Sequence, residues 1–590
     1  MGVCEREEEE QIDEICCCSD CCCLFILSLL LCSSFSFFFS LSPLSLSPLS
    51  LSLSLLSPLS PLFVRANIFN THKYSKDMVG AAADGINAGM DQEGGGTAAI
   101  DQLSAAISSN QTTADAVSTS FRRLMLARIR LGMFDPPTDV SYNSIVYNQT
   151  ELAFNEMHNK INQRAAEESM TLLKNDKESL PLSLSTIDET DGNNGIHTLG
   201  LMGFQSNNAG ILSGNYAGSA NINNWGMTIT DTLTKMMTEG GGVLKQADGC
   251  STVRCPEASD PHGFDEAKEV AKESDAVVIL LGLAFDQYCL GFPNGNNDFC
   301  EAEGKDRDSI ELPSSQKDLV LAARASLGPS KIMIAVMIHG GAVALDDETL
   351  DALDAVVDAF YPGPHGAQAI ADCLFGVFSP SGRLPVTFYR QTTDLPALDN
   401  MDWYPQENVS QGISYRYFQG QVLYPFGHGL SYAEFKYTNF TTINPSLSSS
   451  SSSSDPNMSI GPCDVVKMNI DVTNVGSVDS DEVVQCYVKQ PHASVPVPQV
   501  RLAAFARVHV LKGQTVTVSI EIPPSSHTIV QNKGGDATGN DIYQAGTSVV
   551  VEKGTFIVYC GGGQPDYDHG VLSVDVDVVS SSTMDYCKAK

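Results

Sequence analysis

Positive charge is scarce in this 590-residue chain: 35 Lys and Arg stand against 70 Asp and Glu, a formal net charge of −35. Neutralising phosphates takes a basic footprint, so this balance excludes a nucleic-acid partner and disfavours an anionic membrane surface. Tryptophan is nearly missing, with 2 in the chain, so any aromatic platform has to be built from Tyr and Phe. There is no GxGxxG fingerprint. The nearest imitation, Gly214-Asn215-Tyr216-Ala217-Gly218, has the wrong spacing, and dinucleotide binding is rejected. No repeat of solenoid period is present. What remains is 43% hydrophobic and 18% charged, with 48 Gly and 28 Pro. That is a globular composition, long enough for several domains and open to neutral ligands such as sugars.

Cysteine is unevenly placed. Of 17, eight precede residue 33, beside an acidic run at 7–10 and ahead of a Leu/Ser/Pro repeat that reaches Pro61. This stretch has no folding period. Its Cys16–Cys23 cluster has thiolates suited to metal or acylation, but no His partner and no matched CxxC pair, so no metal site is assigned. Residues 24–39 are apolar enough for a signal or anchor, yet an acidic segment precedes them and Ser interrupts them. The plainer reading is that 1–65 is a mistranslated flank. Downstream, Cys250 with Cys255 and Cys289 with Cys300 have spacings that suit short disulfide loops. Together with sequons at Asn110, Asn148, Asn408, Asn439 and Asn457, they point to an oxidising, secretory route and an extracellular destination.

Residues 66–137 read as a strand-like opening followed by helices over 98–107 and 114–131, with Thr112 or Thr113 as cap and Gly132 as stop. Val117, Phe121, Leu124, Ile129 and Leu131 are available to one broad apolar face. From 150 to about 390 the pattern alternates. A long amphipathic helix is expected over 152–173, then apolar strands at 198–203, 276–283, 332–338 and 355–360, with helices between them. Short unbroken apolar strands joined by helices imply a sheet covered on both faces. A polar, aromatic connector and the serine run 448–454 follow. Beyond them, alternating strands such as 516–522 predict a small β-sandwich.

The densest polar constellation is Glu301-Ala302-Glu303-Gly304-Lys305-Asp306-Arg307, just beyond the strand at 276–283. Ligands bind open α/β sheets outside the carboxyl ends of strands, and a carboxyl near Arg307 or partly buried can be tuned as a general acid. The bland alternative is a solvated acidic loop. Asp286, near the same strand end, is a second candidate with the same alternative. His339-Gly340-Gly341 and Tyr361-Pro362-Gly363 also sit at strand ends, either lining a pocket or forming tight turns. His428 reads as a packing residue. Asp91, before a glycine cluster, either contacts ligand or caps the helix that follows.

LLKND (172–176), GNYAG (214–218), EAEGKDR (301–307), YPGPHG (361–366), GRLPVTFY (382–389) and YPFGHGLSY (424–432) together resemble glycoside hydrolase family 3. The EAEGxDR and GNYAG forms look most like its β-xylosidase and α-L-arabinofuranosidase branch. The resemblance runs from about residue 69 to 559, with the motifs in family order. It implies an α/β architecture: a TIM-type barrel, an α/β sandwich and a fibronectin-III-like β-sandwich, with no cofactor. It also implies a retaining mechanism, in which an Asp nucleophile and a Glu acid/base stand about 5–5.5 Å apart. By resemblance the acid/base is Glu301, with Glu303 close behind. The other Glu, with Asp306 and Arg307, then holds the loop through charge-assisted bonds. Asp91 matches a subsite residue, and Asp286, Asp306 and Arg307 join it as candidate substrate contacts.

The sequence departs from the family at one point. The family nucleophile lies in a Ser-Asp motif shortly before the stretch matching residues 69–91, where this chain has Leu/Ser/Pro repeats. Ser19-Asp20 imitates the motif among cysteines at the wrong spacing. The expected organisation is therefore a low-complexity segment (1–65), a C-terminal remnant of a (β/α)8 barrel with linker (66–149), an α/β sandwich (150–390), a connector with a Ser-rich linker (391–462), a fibronectin-III-like domain (463–575) and a tail (576–590). The expected activity is exo-acting, retaining β-xylosidase-like hydrolysis of xylan-type oligosaccharide or polysaccharide, with arabinofuranoside or glucoside as alternative sugars. Turnover is expected to fail for want of the nucleophile. The rival readings are a non-catalytic carbohydrate-binding or scaffold protein and a membrane-tethered form. Self-association is expected through the face a barrel would cover.

Overall fold

The computed structural model describes residues 68–69, 73–94, 97–146, 148, 155–184, 195–214, 216, 226–250, 253, 264–285, 301, 307–397, 400, 402–443, 458–532, 547–568 and 570–588. Residues 1–65, the serine run, and Cys255, Asp286, Cys289, Cys300, Glu303 and Asp306 lie outside the described residues. No helix among the described residues is long and apolar enough to cross a membrane.

The first described segment is helical. Helix α1 (Met78–Asn87) starts at Asp77, whose carboxylate accepts from the Gly80 N–H at 2.8 Å, and it buries Ala81, Ala82, Ala83 and Ile86. The strand-like opening is not found among the described residues. Ile68 and Phe69 are helical, and the Ile68 carbonyl accepts from the N–H groups of Tyr74 and Ser75, a local turn in place of a sheet ladder. Helix α2 (Leu103–Ser108) follows a 3-10 turn, Ile100–Gln102. The cap of that turn is Glu93 rather than Asp91: its buried carboxylate accepts from Ala99 N at 3.2 Å and Ile100 N at 2.9 Å. Helix α3 (Ala114–Arg130) is capped by Thr113 and stops before Gly132 at φ +67°. Its apolar face is not buried: Phe121, Ile129 and Leu131 are 60%, 58% and 68% exposed.

The helix expected over 152–173 is two elements. Helix α4 (Glu156–Ser169) ends at Met170, and Thr171–Asn175 is strand β1. The physical reason is burial on both sides: Leu172 joins one hydrophobic core and Leu173 the other. The twofold alternation of a strand achieves this, whereas a helix would turn neighbouring residues toward one side.

Strands β2 (Thr198–Met202), β3 (Val243–Ala247), β4 (Ala276–Gly282), β5 (Ile332–Ile338) and β6 (Ala355–Asp358) complete a six-stranded sheet in the order β1-β6-β5-β4-β2-β3. All neighbours are parallel except β1 against β6. Helices α5 (Ile229–Glu239), α6 (Asp265–Glu273), α7 (Ser314–Leu327), α8 (Asp347–Asp351) and α9 (Gly366–Leu374) link and cover the strands. On β4, Ala276, Val278 and Leu280 enter one core while Val277, Ile279 and Leu281 enter the other, so both faces of the sheet are dry. Strand order reverses between β2 and β4, which opens a crevice beyond their carboxyl ends.

The stretch expected to be a connector supplies strands. The pair β7 (Phe388–Tyr389) and β8 (Val422–Tyr424) forms a small ribbon, and β9 (Phe435–Ile443) and β10 (Met458–Ile460) belong to the sandwich. One sheet orders β10-β18-β17-β12-β13 and the other β14-β11-β9, where β11 is Val466–Asn474, β12 Ser480–Lys489, β13 Arg501–Val510, β14 Thr515–Ile522, β17 Gly554–Gly561 and β18 Leu572–Val578. A small third sheet joins β15 (Thr528–Asn532), β16 (Thr547–Val551) and β19 (Ser582–Thr583). Val518, Ile520 and Ile522 of β14 pair with Ile470, Met468 and Val466 of β11 inside one core, as their alternation predicts. The expected tail is integral: β18 ends inside it at Val578, and Cys587 is disulfide-bonded to Cys463. A second disulfide ties β12 to β17 through Cys486 and Cys560. Neither pair was expected from spacing, because their partners lie 124 and 74 residues apart.

Candidate active site at the strand ends

The carboxyl ends of β4, β5 and β6 bring together two residues from the acidic loop, Glu301 and Arg307, and two strand-end turns. The Glu301 N–H donates to the Ala284 carbonyl at 2.8 Å, which returns the loop to the end of β4. The Glu301 carboxylate then reaches across β5. Its Oε2 accepts from Gly340 N at 2.5 Å and from the Tyr361 hydroxyl at 3.0 Å, and its Oε1 accepts from Gly341 N at 2.7 Å. Two consecutive backbone N–H groups and a phenol thus engage both oxygens, two bonds to Oε2 and one to Oε1. The glycines are required by close approach. A Cβ on Gly340 would lie 3.3 Å from Glu301 Oε2, and one on Gly341 would lie 2.9 Å from Arg307 Nη2.

Arg307 stands behind this carboxylate. Its Nη2 is 3.6 Å from Glu301 Oε1 and donates to the Ala342 carbonyl at 2.9 Å, while Nη1 has no hydrogen-bond partner among the described residues. Both side chains are largely buried, at 12% and 14% exposure. Burial pulls the Arg307 guanidinium below its ordinary value, although the charges of Glu301, Tyr361 and Glu311 oppose the shift. Burial, and then the negative charge of Glu301, push the Tyr361 phenol well up, so it stays protonated and donates. Phe285 at the end of β4 packs edge-on against the Tyr361 ring, 5.7 Å between centroids.

One layer deeper, His339 is fully buried. Its Nδ1 lies 2.7 Å from the Gly341 carbonyl, and its Nε2 is 3.2 Å from Asp358 Oδ2, a close ion-pair contact without in-line hydrogen-bond geometry. Burial opposes the charged ring, but the Asp358 carboxylate, with Glu301 behind it, raises His339 above the usual imidazole value. Asp358 in turn accepts from Phe360 N at 2.9 Å. The result is a chain of alternating charge that sets the Gly340-Gly341 turn against Glu301. Sequence reasoning placed His339 and Tyr361 at strand ends but passed over Asp358. The available signal was a carboxylate inside the apolar strand AVVDAF.

The other candidates fall elsewhere or outside. Asp91 is bound by Arg123, whose Nη2 lies 2.7 Å away, and accepts from the Ser120 hydroxyl at 2.9 Å. His428 is a packing residue as expected: its Nε2 lies 3.0 Å from the Leu173 carbonyl, its ring stacks on Tyr424, and burial lowers its pKa. Cys250 is disulfide-bonded. Glu303, Asp286 and Asp306 lie outside the described residues. Chemically, the described site holds a carboxylate as an acceptor in a largely buried, positively backed niche at the ends of β4, β5 and β6.

Comparison with known proteins follows the same outline. Residues 170–432 match the glycosyl hydrolase family 3 C-terminal domain and residues 482–564 a fibronectin type III-like domain. The chain is 30% identical to "Probable beta-D-xylosidase 6" of Arabidopsis thaliana, across 80% of this chain and 57% of that protein. It is 32% identical to "Probable exo-1,4-beta-xylosidase bxlB" of Aspergillus fumigatus, across 77% and 54%. It thus spans about half the length of the curated relatives it matches. Among solved structures, the GH3 exo-beta-xylosidase XlnD, bound to a xylobiose aziridine probe, superposes with a TM-score of 0.64 at 25% identity, covering 88% of this chain and 60% of that one. A β-glucosidase from Erythrobacter marinus, at 24% identity, TM-score 0.62, and 87% and 62% coverage, shares the fold. The chain thus carries the glycosyl hydrolase family 3 C-terminal domain, followed by a fibronectin type III-like sandwich.

Proposed function

We propose that this chain carries the acid/base half of a retaining, exo-acting β-xylosidase-type glycosidase. The observation that supports the reading is that both oxygens of Glu301 are engaged by the protein itself. A general acid must present a protonated oxygen to the leaving group, whereas both oxygens of Glu301 accept bonds from Gly340, Gly341 and Tyr361. Glu301 is therefore the anchor of the loop, and Glu303, two residues on, is the acid/base. Asp286, Asp306 and Arg307 serve substrate binding and loop support beside it.

The second carboxylate of the retaining pair has no counterpart at the family position in this sequence, and Asp91 is committed to Arg123. Losing one member of such a pair removes most of the rate, because the covalent intermediate cannot form. The polypeptide by itself is therefore expected not to cleave glycosides. Its exposed α3 face supports self-association, and its two sandwich disulfides support an oxidising destination outside the cytosol. The test is release of the aglycone from an aryl β-xyloside by the purified chain. The expected result is no release above the uncatalysed rate. Release that disappears in Glu303→Gln would overturn the claim of inactivity.

A further inference from the structure

A cleft of about 1150 Å³ runs between the α/β domain and the β-sandwich, and none of Glu301, Arg307, His339 and Tyr361 lines it. Ligand sites favour domain interfaces and combine apolar walls with a few fixed polar groups. The floor here is built in that way. Arg383 Nη2 donates to both oxygens of Glu482, at 3.0 and 2.9 Å, and the Tyr437 hydroxyl donates to Glu482 Oε1 at 2.6 Å. Asp568 stands beside them, its Oδ1 accepting from Gly570 N at 2.8 Å. All three oxygen groups face one point. A Cβ on Gly562 would lie 3.0 Å from the Tyr437 oxygen and 3.3 Å from both Asp568 Oδ2 and Glu482 Oε1. Glycine is what permits this close approach.

Two further observations indicate an occupant. Gln564 lines the cleft at 6% exposure, and its Oε1 has no hydrogen-bond partner among the described residues. A buried amide oxygen left unpaired is costly, so such an atom in a cleft wall marks a place where a donor is due. Tyr567, at the rim, leaves about half of its surface exposed, a ring face on which the C–H side of a ligand can lie.

Charge selects the class of ligand. Arg383 and Glu482 neutralise each other, which leaves Glu178, Glu434 and Asp568 against Lys512. Anions are repelled. A neutral molecule with many hydroxyls can donate to Asp568 and Gln564, accept from Lys512, and rest on Tyr567. We propose that this interdomain cleft binds an oligosaccharide segment at a site separate from the strand-end carboxylates. It requires neither Glu301 nor Glu303 and so goes beyond the function proposed above.

The test is calorimetric titration of the full chain with xylohexaose and with cellohexaose, with a melting curve for each variant. The expected result is a saturable isotherm with at least one of the two sugars. Tyr567→Ala and Gly562→Ala each weaken it by at least about tenfold. Should Gly562→Ala fail to fold, Tyr567→Ala, a change at an exposed ring, decides alone. No heat with either sugar, or an isotherm indifferent to Tyr567→Ala, would overturn the proposal. Failure of the acid/base reading would leave this isotherm in place, so the two claims fail separately.

Discussion

His339 ties the strand ends together. It sits without solvent contact between the Gly341 carbonyl and Asp358, and its charge backs the turn that grips Glu301. Burial works against its protonation, but Asp358 and Glu301 outweigh burial and raise its pKa in the folded state. A group raised on folding stabilises fully below its unfolded value, about 6.5, and loses that contribution as pH climbs through the folded value. His339→Gln should therefore reduce stability most at acidic pH, and the difference from the parent should narrow as pH rises above about 6.5, as read by urea unfolding at a series of pH values. Glu311 works in the opposite sense. Despite burial, bonds from the Ser309 and Thr392 hydroxyls and the Thr392 N–H hold its pKa down at about 2. Its stabilising contribution is present above the unfolded carboxyl range and is lost as pH falls toward 2. Of these residues, the sequence made His339 visible because it follows an apolar run and precedes two glycines. Glu311 stayed hidden because Thr392, which holds it, lies far along the chain, and Asp358 because its buried partner His339 comes from another strand end.

Strand β1 shows why element prediction succeeded in most of the sheet and failed here. The runs at 276–282 and 332–338 are long, apolar and rich in branched residues, and they stood out as buried strands. Thr171–Asn175 has five residues directly after a helix, and its pattern extends that helix as readily as it starts a strand. Tertiary pairing decides. One edge of β1 bonds β6, and the other is covered by the YPFGHGLSY segment, where Leu430 N donates to the Leu172 carbonyl at 2.7 Å and His428 lies on Leu173. That covering closes an edge which would otherwise offer free backbone groups. Replacing His428 with Ala leaves the Leu173 carbonyl unpaired inside the protein. The expected loss is about 1–3 kcal/mol in unfolding free energy, with faster amide exchange in β1 than in β4. A loss below about 0.5 kcal/mol would show that water replaces the ring.

At the scale of the whole molecule, buried charge joins the α/β domain to the sandwich. Arg383, from the GRLP turn, reaches Glu482 on β12, and Arg507 on β13 reaches Ser381 and the Glu168 carbonyl. Arg383→Ala would leave Glu482 buried at 2% exposure without its cation. The expected cost is about 3–5 kcal/mol, seen as a lower melting temperature. Arg383→Met with Glu482→Leu together should recover much of that loss. The order of α/β domain and β-sandwich was legible from periodicity. The reach of the sandwich was not, because β9, β10 and β19 are short or polar and acquire their meaning only beside β11, β18 and β16.

The division of work between the two loop glutamates is measured most directly by the unfolding free energies of Glu301→Ala and Glu303→Gln in the intact chain. An anchor that satisfies Gly340, Gly341 and Tyr361 should cost at least about 2–3 kcal/mol when removed, while a glutamate reserved for chemistry should change stability by less than about 0.5 kcal/mol. The reverse order, or equal and small losses, would contradict the account.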